Sequence, residues 1–600
     1  MKATTTVWVC GALAALAGVP EAQAQDPFRQ TIVVTAAATP IELGHATRTL
    51  TVITREQMAA LPVSSIADVL RLVSSVDVRA RGDRGVQTDF AIRGANFGQM
   101  LVLVDGVRLN DAQSGHHNGD IPVPLDAVER IEVLYGPGSS LFGADAFGGT
   151  VNVITRRRAD ASAVMQGGSF GFASARGEAG FERGAVREVA AMSFERSSGF
   201  IYDREFDTVV AHSRTSFGTQ AGLSVAFLRK AFGANNFYGG NAPSREWTNQ
   251  TLVAADRRFG DAAGWSLGVN GSYRTHGDRF IFNRERPELS DNRHRTHTLL
   301  GSVTASRRVG DSASISAGIE GGQDWIRSSN LGDHEISRGS VYGEWRQEVA
   351  RGAHVDATLR VDRYSEFGTS WSPSIGAGWS PTDVVRLRAS VGRAYRVPTF
   401  TERYYSDPAN LARPEVGPEF AWAGEAGADV FVGSGWLLQA TLFSRADRDV
   451  IDWLRPTVAD RWRTFNIRDV TTVGVEMGVR KTFPEGGFVQ AHYTALDVDA
   501  ADVTQLSKYV LDYAPRSFTA AALLPLPARL SVAPRLEYRR RARPAGTSDY
   551  LLLDARVSRR LSRALELFVE GTNLFDVTYE EIAGVRMPGT AMVVALRITP

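Results

Sequence analysis

The chain has 600 residues, with 67 Lys and Arg against 66 Asp and Glu and a net charge of +1. That length is more than one ordinary soluble core, and the balanced charge offers no broad basic surface, so nucleic acid is not an expected partner. Mean hydropathy is −0.15, and past the N-terminus no apolar run approaches the roughly 20 residues of a spanning helix. A soluble protein fits this, and so does a transmembrane β-barrel, whose strands alternate lipid-facing and lumen-facing residues.

The chain opens as a secretory signal peptide over 1–24. It has Lys2, an apolar Val7–Val19 and the small-x-small site Ala22-Gln23-Ala24. The one cysteine, Cys10, lies inside it, so the exported chain depends on no disulfide. A lipoprotein acceptor role for Cys10 would need small residues before it, and Val7-Trp8-Val9 supplies none. Residues 25–42 form a short, polar, β-branched segment holding Thr31-Ile32-Val33-Val34-Thr35-Ala36.

A small glycine-dense α+β domain is expected over 43–157. Leu50–Ile53 reads as a strand. Ser64-Ser65 can cap a helix whose apolar positions Ile66, Val69, Leu70 and Val73 recur at helical spacing, with Asp68 in the favourable first turn. Val76–Arg79 and Phe90–Arg93 read as short strands. Leu101–Val104 and Val107–Leu109 flank Asp105-Gly106, a hairpin link whose two turn positions need positive φ. A polar loop with His116 and His117 follows. Then come a strand at Arg130–Leu134, a sharp turn at Gly136-Pro137-Gly138 and a buried strand at Val151–Ile154.

From 158 to 600 the pattern has period two. Met592, Val594, Leu596 and Ile598 point one way, and Val593, Ala595, Arg597 and Thr599 the other. Leu551 to Ser558 and Val385 to Gly392 alternate likewise, with Arg386 and Arg388 on the polar face. One apolar and one charged face is what lipid outside and a wet or filled lumen require. About 440 residues divided among the roughly 22 strands of a plugged barrel leave about 20 residues for each strand and its share of loop.

Several words stand in one order: Ile92-Arg93-Gly94, Val104-Asp105-Gly106-Val107, Glu129-Arg130-Ile131-Glu132-Val133, Gly136-Pro137, Phe142-Gly143, and Gly148-Gly149 before Val151-Asn152-Val153-Ile154-Thr155. They resemble the plug domain of TonB-dependent outer-membrane receptors. Arg393-Ala394-Tyr395-Arg396-Val397-Pro398-Thr399-Phe400, Asp407-Pro408-Ala409-Asn410-Leu411, Asn466 with Gly474-Val475-Glu476, and Val569-Glu570-Gly571-Thr572-Asn573-Leu574-Phe575-Asp576 resemble the same family's barrel. The resemblance implies about 22 antiparallel strands closed around the plug, in the outer membrane of a Gram-negative-type bacterium, with the N-terminal segment in the periplasm. It makes Thr31–Ala36 a TonB box, an extended segment whose backbone adds as a strand to TonB, the partner driven by an inner-membrane energising complex. It implies active import of a scarce metal chelate, a ferric siderophore or cobalamin, and the compact length is nearer the cobalamin receptor. Copper chelates and oligosaccharides are alternative ligands. The resemblance sets His116 and His117 in a vestibule loop that contacts ligand, and places Arg93 and Arg130 among carboxylates of the barrel wall. One departure is the end, Ile598-Thr599-Pro600, where the family usually carries a terminal aromatic residue.

Other chemistries find little support. Gly136-x-Gly138 has Pro137 inside it and no Gly-Lys-Ser/Thr after it, so it is not a phosphate loop. Ser139-Ser140 is not framed as a hydrolase elbow, and no His-Glu-x-x-His occurs. An enzyme is therefore not expected, and neither is a resident cofactor. Haem receptors of the family carry a histidine between the two barrel words, where this chain reads Thr399–Pro408 without one. A passive porin or adhesin barrel is the alternative architecture, and it predicts neither plug nor TonB box.

Overall fold

The structure is a computed structural model that describes residues 41–158, 160–239, 242–260, 264–500, 505–543 and 546–600, and before them the strand Val33–Val34. The expected signal peptide, and Thr31, Ile32, Thr35 and Ala36, lie outside the described residues. Val33–Val34 pairs antiparallel with Ile41–Glu42.

The N-terminal domain is built on a five-stranded mixed sheet. In it Leu50–Thr54 pairs with Val128–Tyr135, that strand with Gly149–Thr155, and Gly149–Thr155 runs parallel to Met100–Val104. The strand Val107–Arg108 completes the sheet through a hairpin in which Asp105 has φ 49° and Gly106 has φ 83°, the left-handed pair that the Asp-Gly link anticipates. The helix Ile66–Leu70 begins where Ser65 Oγ accepts from Asp68 N at 3.2 Å, and it stops before Leu72 and Val73, which stay buried in the following turn. Leu70, Val76, Ile92, Val102, Ile131, Val133, Val151 and Val153 close one core between this helix and the sheet.

Around this domain runs a closed antiparallel barrel of 22 strands. Its first strand, Ser162–Gly168, pairs with its last, Ala591–Ile598, so no edge is left open to hydrocarbon. Strand lengths run from seven residues in Ser162–Gly168 to 21 in Trp462–Thr482. At one rim the connections are short, as at 184–185, 351–352 and 383–384; at the other they are long, as at 234–244, 397–418 and 573–590. Short turns mark the periplasmic rim and long loops the extracellular one.

Alternation holds along the wall. Val594 is 53% exposed and Ala595 2%. Arg386 and Arg388 are buried inward, while Leu387 and Val391 face out. The many exposed outer residues, such as Leu299, Val341, Leu359 and Leu442, form the band a bilayer covers. Inside, Ala595 packs with Val164 and Phe568, so the lumen at that position is filled rather than wet.

This contact sharpens a test of the faces. Val594→Arg should impair assembly by about 2–4 kcal/mol if the position lies near the bilayer midplane, whereas Val594→Leu should be tolerated. Ala595→Leu should cost about 1–3 kcal/mol by overpacking. Equal stability of the two leucine variants in reversible unfolding into lipid vesicles would show that the faces are assigned wrongly.

Candidate functional site

A plugged barrel works through the contacts that seat the plug and through the surface it presents outside. The polar part of the seat is built on arginine–carboxylate pairs, beside apolar contacts such as Phe147 with Ala394 and Ala421. Arg93 is held at φ 49° just after the strand Thr88–Ile92, and it points into the wall. Its Nε and Nη2 donate to the two carboxylate oxygens of Glu476 at 2.9 and 2.7 Å, and its Nη1 donates to Glu425 Oε2 at 2.5 Å. Tyr135 and Phe443 lie 4.8 and 4.4 Å from its guanidinium carbon. Burial alone would lower the Arg93 pKa, but Glu476 and Glu425 outweigh it and hold the group firmly charged. A bidentate pair in a confined space fixes direction as well as energy.

Similar joints surround it. Asp77 on the plug accepts from Arg541 of the wall at 2.5 and 3.1 Å and from Arg79 at 2.9 Å. Burial would raise the Asp77 carboxyl, but Arg541 and Arg79 bring it well below the ordinary 3.8. Arg71 pairs at 2.8 Å with Glu581, which lies in the 573–590 loop and also accepts from Ala80 N at 2.6 Å. Gln99 donates to Glu419 at 2.9 Å. Arg130 pairs with Glu132 of its own strand at 2.8 Å. Residues two apart on a strand share a face, which brings these two together.

The loop with the two histidines is not a solvated one. His116 stacks on Phe97 with ring centroids 4.2 Å apart, and its Nδ1 sits 2.8 Å from Asp89 Oδ1, a carboxylate also bound by Arg81 at 2.8 Å. Tyr509 of an extracellular loop stands edge-on to Phe97 at 4.9 Å. Lys508 lies beside Trp453, Trp462 and Tyr509, 5.4 to 5.8 Å from the ring centroids. Phe97 and His116 of the plug and Lys508 and Tyr509 of the barrel loop are partly exposed and together make a ledge over the plug. His117 turns the other way. It is 5% exposed, and its Nδ1 lies 3.8 Å from Asp120 and its Nε2 3.6 Å from Asp278 of the wall. Burial would lower its pKa, but Asp278, Asp111 and Asp120 raise it to about 10. So of the pair the sequence suggests as ligand contacts, only His116 belongs to the outer surface.

Glu425, Asp77, Arg541 and Glu581 were not singled out from the sequence. Glu476 was within reach, since it ends the word Gly474-Val475-Glu476, and Glu425 sits on a strand where inward charge alternates with small residues.

Two outcomes follow from the seat. Arg93→Ala strands two buried carboxylates, which should loosen the plug by about 3–5 kcal/mol. Adding Glu425→Gln and Glu476→Gln should recover most of that loss, as read from plug unfolding in urea and from leak conductance in planar bilayers; equal damage in the single and triple variants would contradict it. Asp77, with its depressed carboxyl, lends stability that is fully present above its ordinary value and is lost as pH falls toward the folded value. The stability gap between the native chain and Asp77→Asn should therefore be flat from about pH 5 to 7 and should shrink steadily in acid below about pH 4. A gap that did not shrink there would remove Asp77 from the seat.

The comparisons agree with this architecture. A family model described as TonB dependent receptor-like, beta-barrel matches residues 194–574, and one for the TonB-dependent receptor plug domain matches 43–150. The chain is 24% identical over 582 residues to the vitamin B12 transporter BtuB of Vibrio vulnificus (strain YJ016), covering 92% of this chain and 91% of that protein. It is 26% identical over 422 residues to BtuB of Photobacterium profundum, with 66% of each chain covered. Among solved structures, the siderophore receptor PirA of Pseudomonas aeruginosa superposes with a TM-score of 0.72 at 18% identity, over 92% of this chain and 98% of that one. A variant of the ferric enterobactin receptor PfeA of Pseudomonas aeruginosa, in complex with enterobactin, gives 0.75 at 17% identity, over 92% and 100%. With a family model spanning most of the wall, a second spanning the plug, and both bodies joined as described, the chain belongs to the TonB-dependent receptors, transport receptors that sit as plugged β-barrels in the outer membrane.

Proposed function

We propose that the receptor takes up a cobalamin-type corrinoid, landing it on the ledge of Phe97, His116 and Tyr509 and admitting it when TonB pulls on Thr31–Ala36. The supporting observation is the ledge itself, a partly exposed set of rings over the plug in which Phe97 and His116 stack and Tyr509 stands edge-on to them. Stacked or edge-on aromatic rings bind a flat macrocycle through area and quadrupole rather than charge. The loops around it do not form a basic funnel. The 397–418 loop has Glu402, Asp407 and Glu415 against Arg403 and Arg413, and the 573–590 loop, apart from the buried Glu581, has Asp576 and Glu580 against Arg586. An anionic ferric chelate would be steered by the opposite balance. The end-to-end likeness to vitamin B12 transporters of similar length points the same way. A labelled-ligand comparison in a strain deleted for this receptor tests it: uptake of cobalamin should return with the gene, and uptake of a panel of ferric siderophores should not. Restored siderophore uptake with cobalamin unchanged would overturn the assignment.

A closed plug cannot leak, and the outer membrane holds no ion gradient of its own, so the work must come through the N-terminal segment. In this mode backbone hydrogen bonds carry much of the affinity. Proline at Val33 or Val34 removes an N–H and fixes φ, which should abolish energy-dependent accumulation and leave equilibrium binding to cells unchanged. Alanine there keeps the donor and should be milder. Normal accumulation by both proline variants would show that the coupling segment lies elsewhere, and lost binding would make the segment part of the plug's structure.

A further inference from the structure

His117 and Asp120 of the plug meet His276 of the wall strand Trp265–Ile281, all three buried, with one ligand atom from each lying within 4.8 Å of the others. Asp120 Oδ2 is 2.9 Å from His276 Nε2 and 3.8 Å from His117 Nδ1. The far atom of each group is also held. His117 Nε2 faces Asp278 Oδ2 at 3.6 Å, and His276 Nδ1 faces Asp111 Oδ2 at 3.7 Å. Asp120 Oδ1 pairs with Lys230 Nζ at 2.8 Å. Asp111 is tied to Thr296 at 2.8 Å and to Arg274, and Gln113 donates to Asp278 at 3.0 Å. His276 Nδ1 has no hydrogen-bond partner although the residue is fully buried.

This is more order than an ion-pair cluster needs. A histidine that ligates a metal through one nitrogen commonly presents the other to a carboxylate, which sets its tautomer and ring direction. Here both histidines face a carboxylate on the far side, and both near nitrogens converge on one further carboxylate. Three carboxylates, Asp111, Asp120 and Asp278, stand against Arg274, Lys230 and, with no ion bound, a charged His117, so an entering cation would take the place of the His117 proton. Two imidazole nitrogens and one carboxylate oxygen, with a position left open, suit a divalent transition metal such as Zn2+ or Co2+ and not Ca2+ or Mg2+, which take oxygen ligands. We infer that His117, Asp120 and His276 form a site for a divalent transition-metal ion that pins the plug to the barrel wall, with Asp278 and Asp111 orienting the two imidazoles. Because the ligands come from both bodies, the bound ion ties the plug to the wall at this point and must be released or carried off when the two part.

Co2+ titrated into the purified full-length receptor in detergent tests this. The mature chain is expected to carry no thiol, so visible d–d bands would report nitrogen and oxygen ligation. One equivalent should bind and be displaced by one equivalent of Zn2+, and the ion should raise the melting temperature. His276→Gln and Asp120→Asn should abolish the bands. Asp278→Asn, which removes only an orienting contact, should weaken binding roughly 10–100-fold, and His297→Gln on the outer face should bind like the native chain. Native receptor that is folded and binds no ion overturns the inference whatever the variants do, as does equal binding by native and ligand-substituted chains. If one ligand variant does not fold, the other ligand variant and Asp278→Asn carry the comparison.

Discussion

Hydrocarbon offers no partner to a peptide N–H or C=O, and that one constraint organises this molecule. It forces the wall to close on itself, the first strand to the last. Closing 22 strands makes a lumen far wider than side chains can fill. Something must occupy it, and the glycine-dense N-terminal domain does. The inward face of the wall is largely polar because the outward face has taken most of the apolar residues, so charge and hydrogen bonding seat the plug beside a few apolar contacts, such as Val86 with Phe172 and Phe232 and Phe147 with Ala394 and Ala421.

That mode of seating suits a gate. An apolar core holds best when it is never opened. A set of ion pairs such as Arg93 with Glu425 and Glu476, or Asp77 with Arg541, is strong in place. Water can satisfy the same groups once the bodies part, so opening costs less than the buried geometry suggests. The largest apolar cluster centres on the plug around Leu70, Val102 and Val151 and touches the wall at its margin, at Ala191, Leu252 and Phe488.

Much of the architecture was legible in sequence because it depends on local chemistry. Period-two alternation revealed the wall, and Asp105-Gly106 revealed its hairpin. Ser65 revealed a helix start, although its end at Leu70 came earlier than the apolar spacing of Val73 suggested. The site was legible only in part. Arg93 and Glu476 are 383 positions apart, and which inward charges meet depends on barrel stagger and on how the plug is rotated within it. No spacing rule reaches that far. The same holds for His117, whose direction toward Asp278 could not be read from a loop sequence.

Import of this kind requires the plug to part from the wall for each solute admitted. Ser74 of the plug and Thr494 of the wall face each other with hydroxyl oxygens 3.0 Å apart, close enough for Ser74→Cys and Thr494→Cys to form a disulfide. The sole native cysteine, Cys10, lies in the expected signal peptide, so no other thiol should compete. The measurement is energy-dependent accumulation of labelled ligand by cells carrying the cross-linked receptor, before and after reduction. A plug that must part from the wall predicts normal binding throughout, no accumulation while the bond is intact, and recovery once it is reduced. Accumulation at the native rate across an intact cross-link would contradict it.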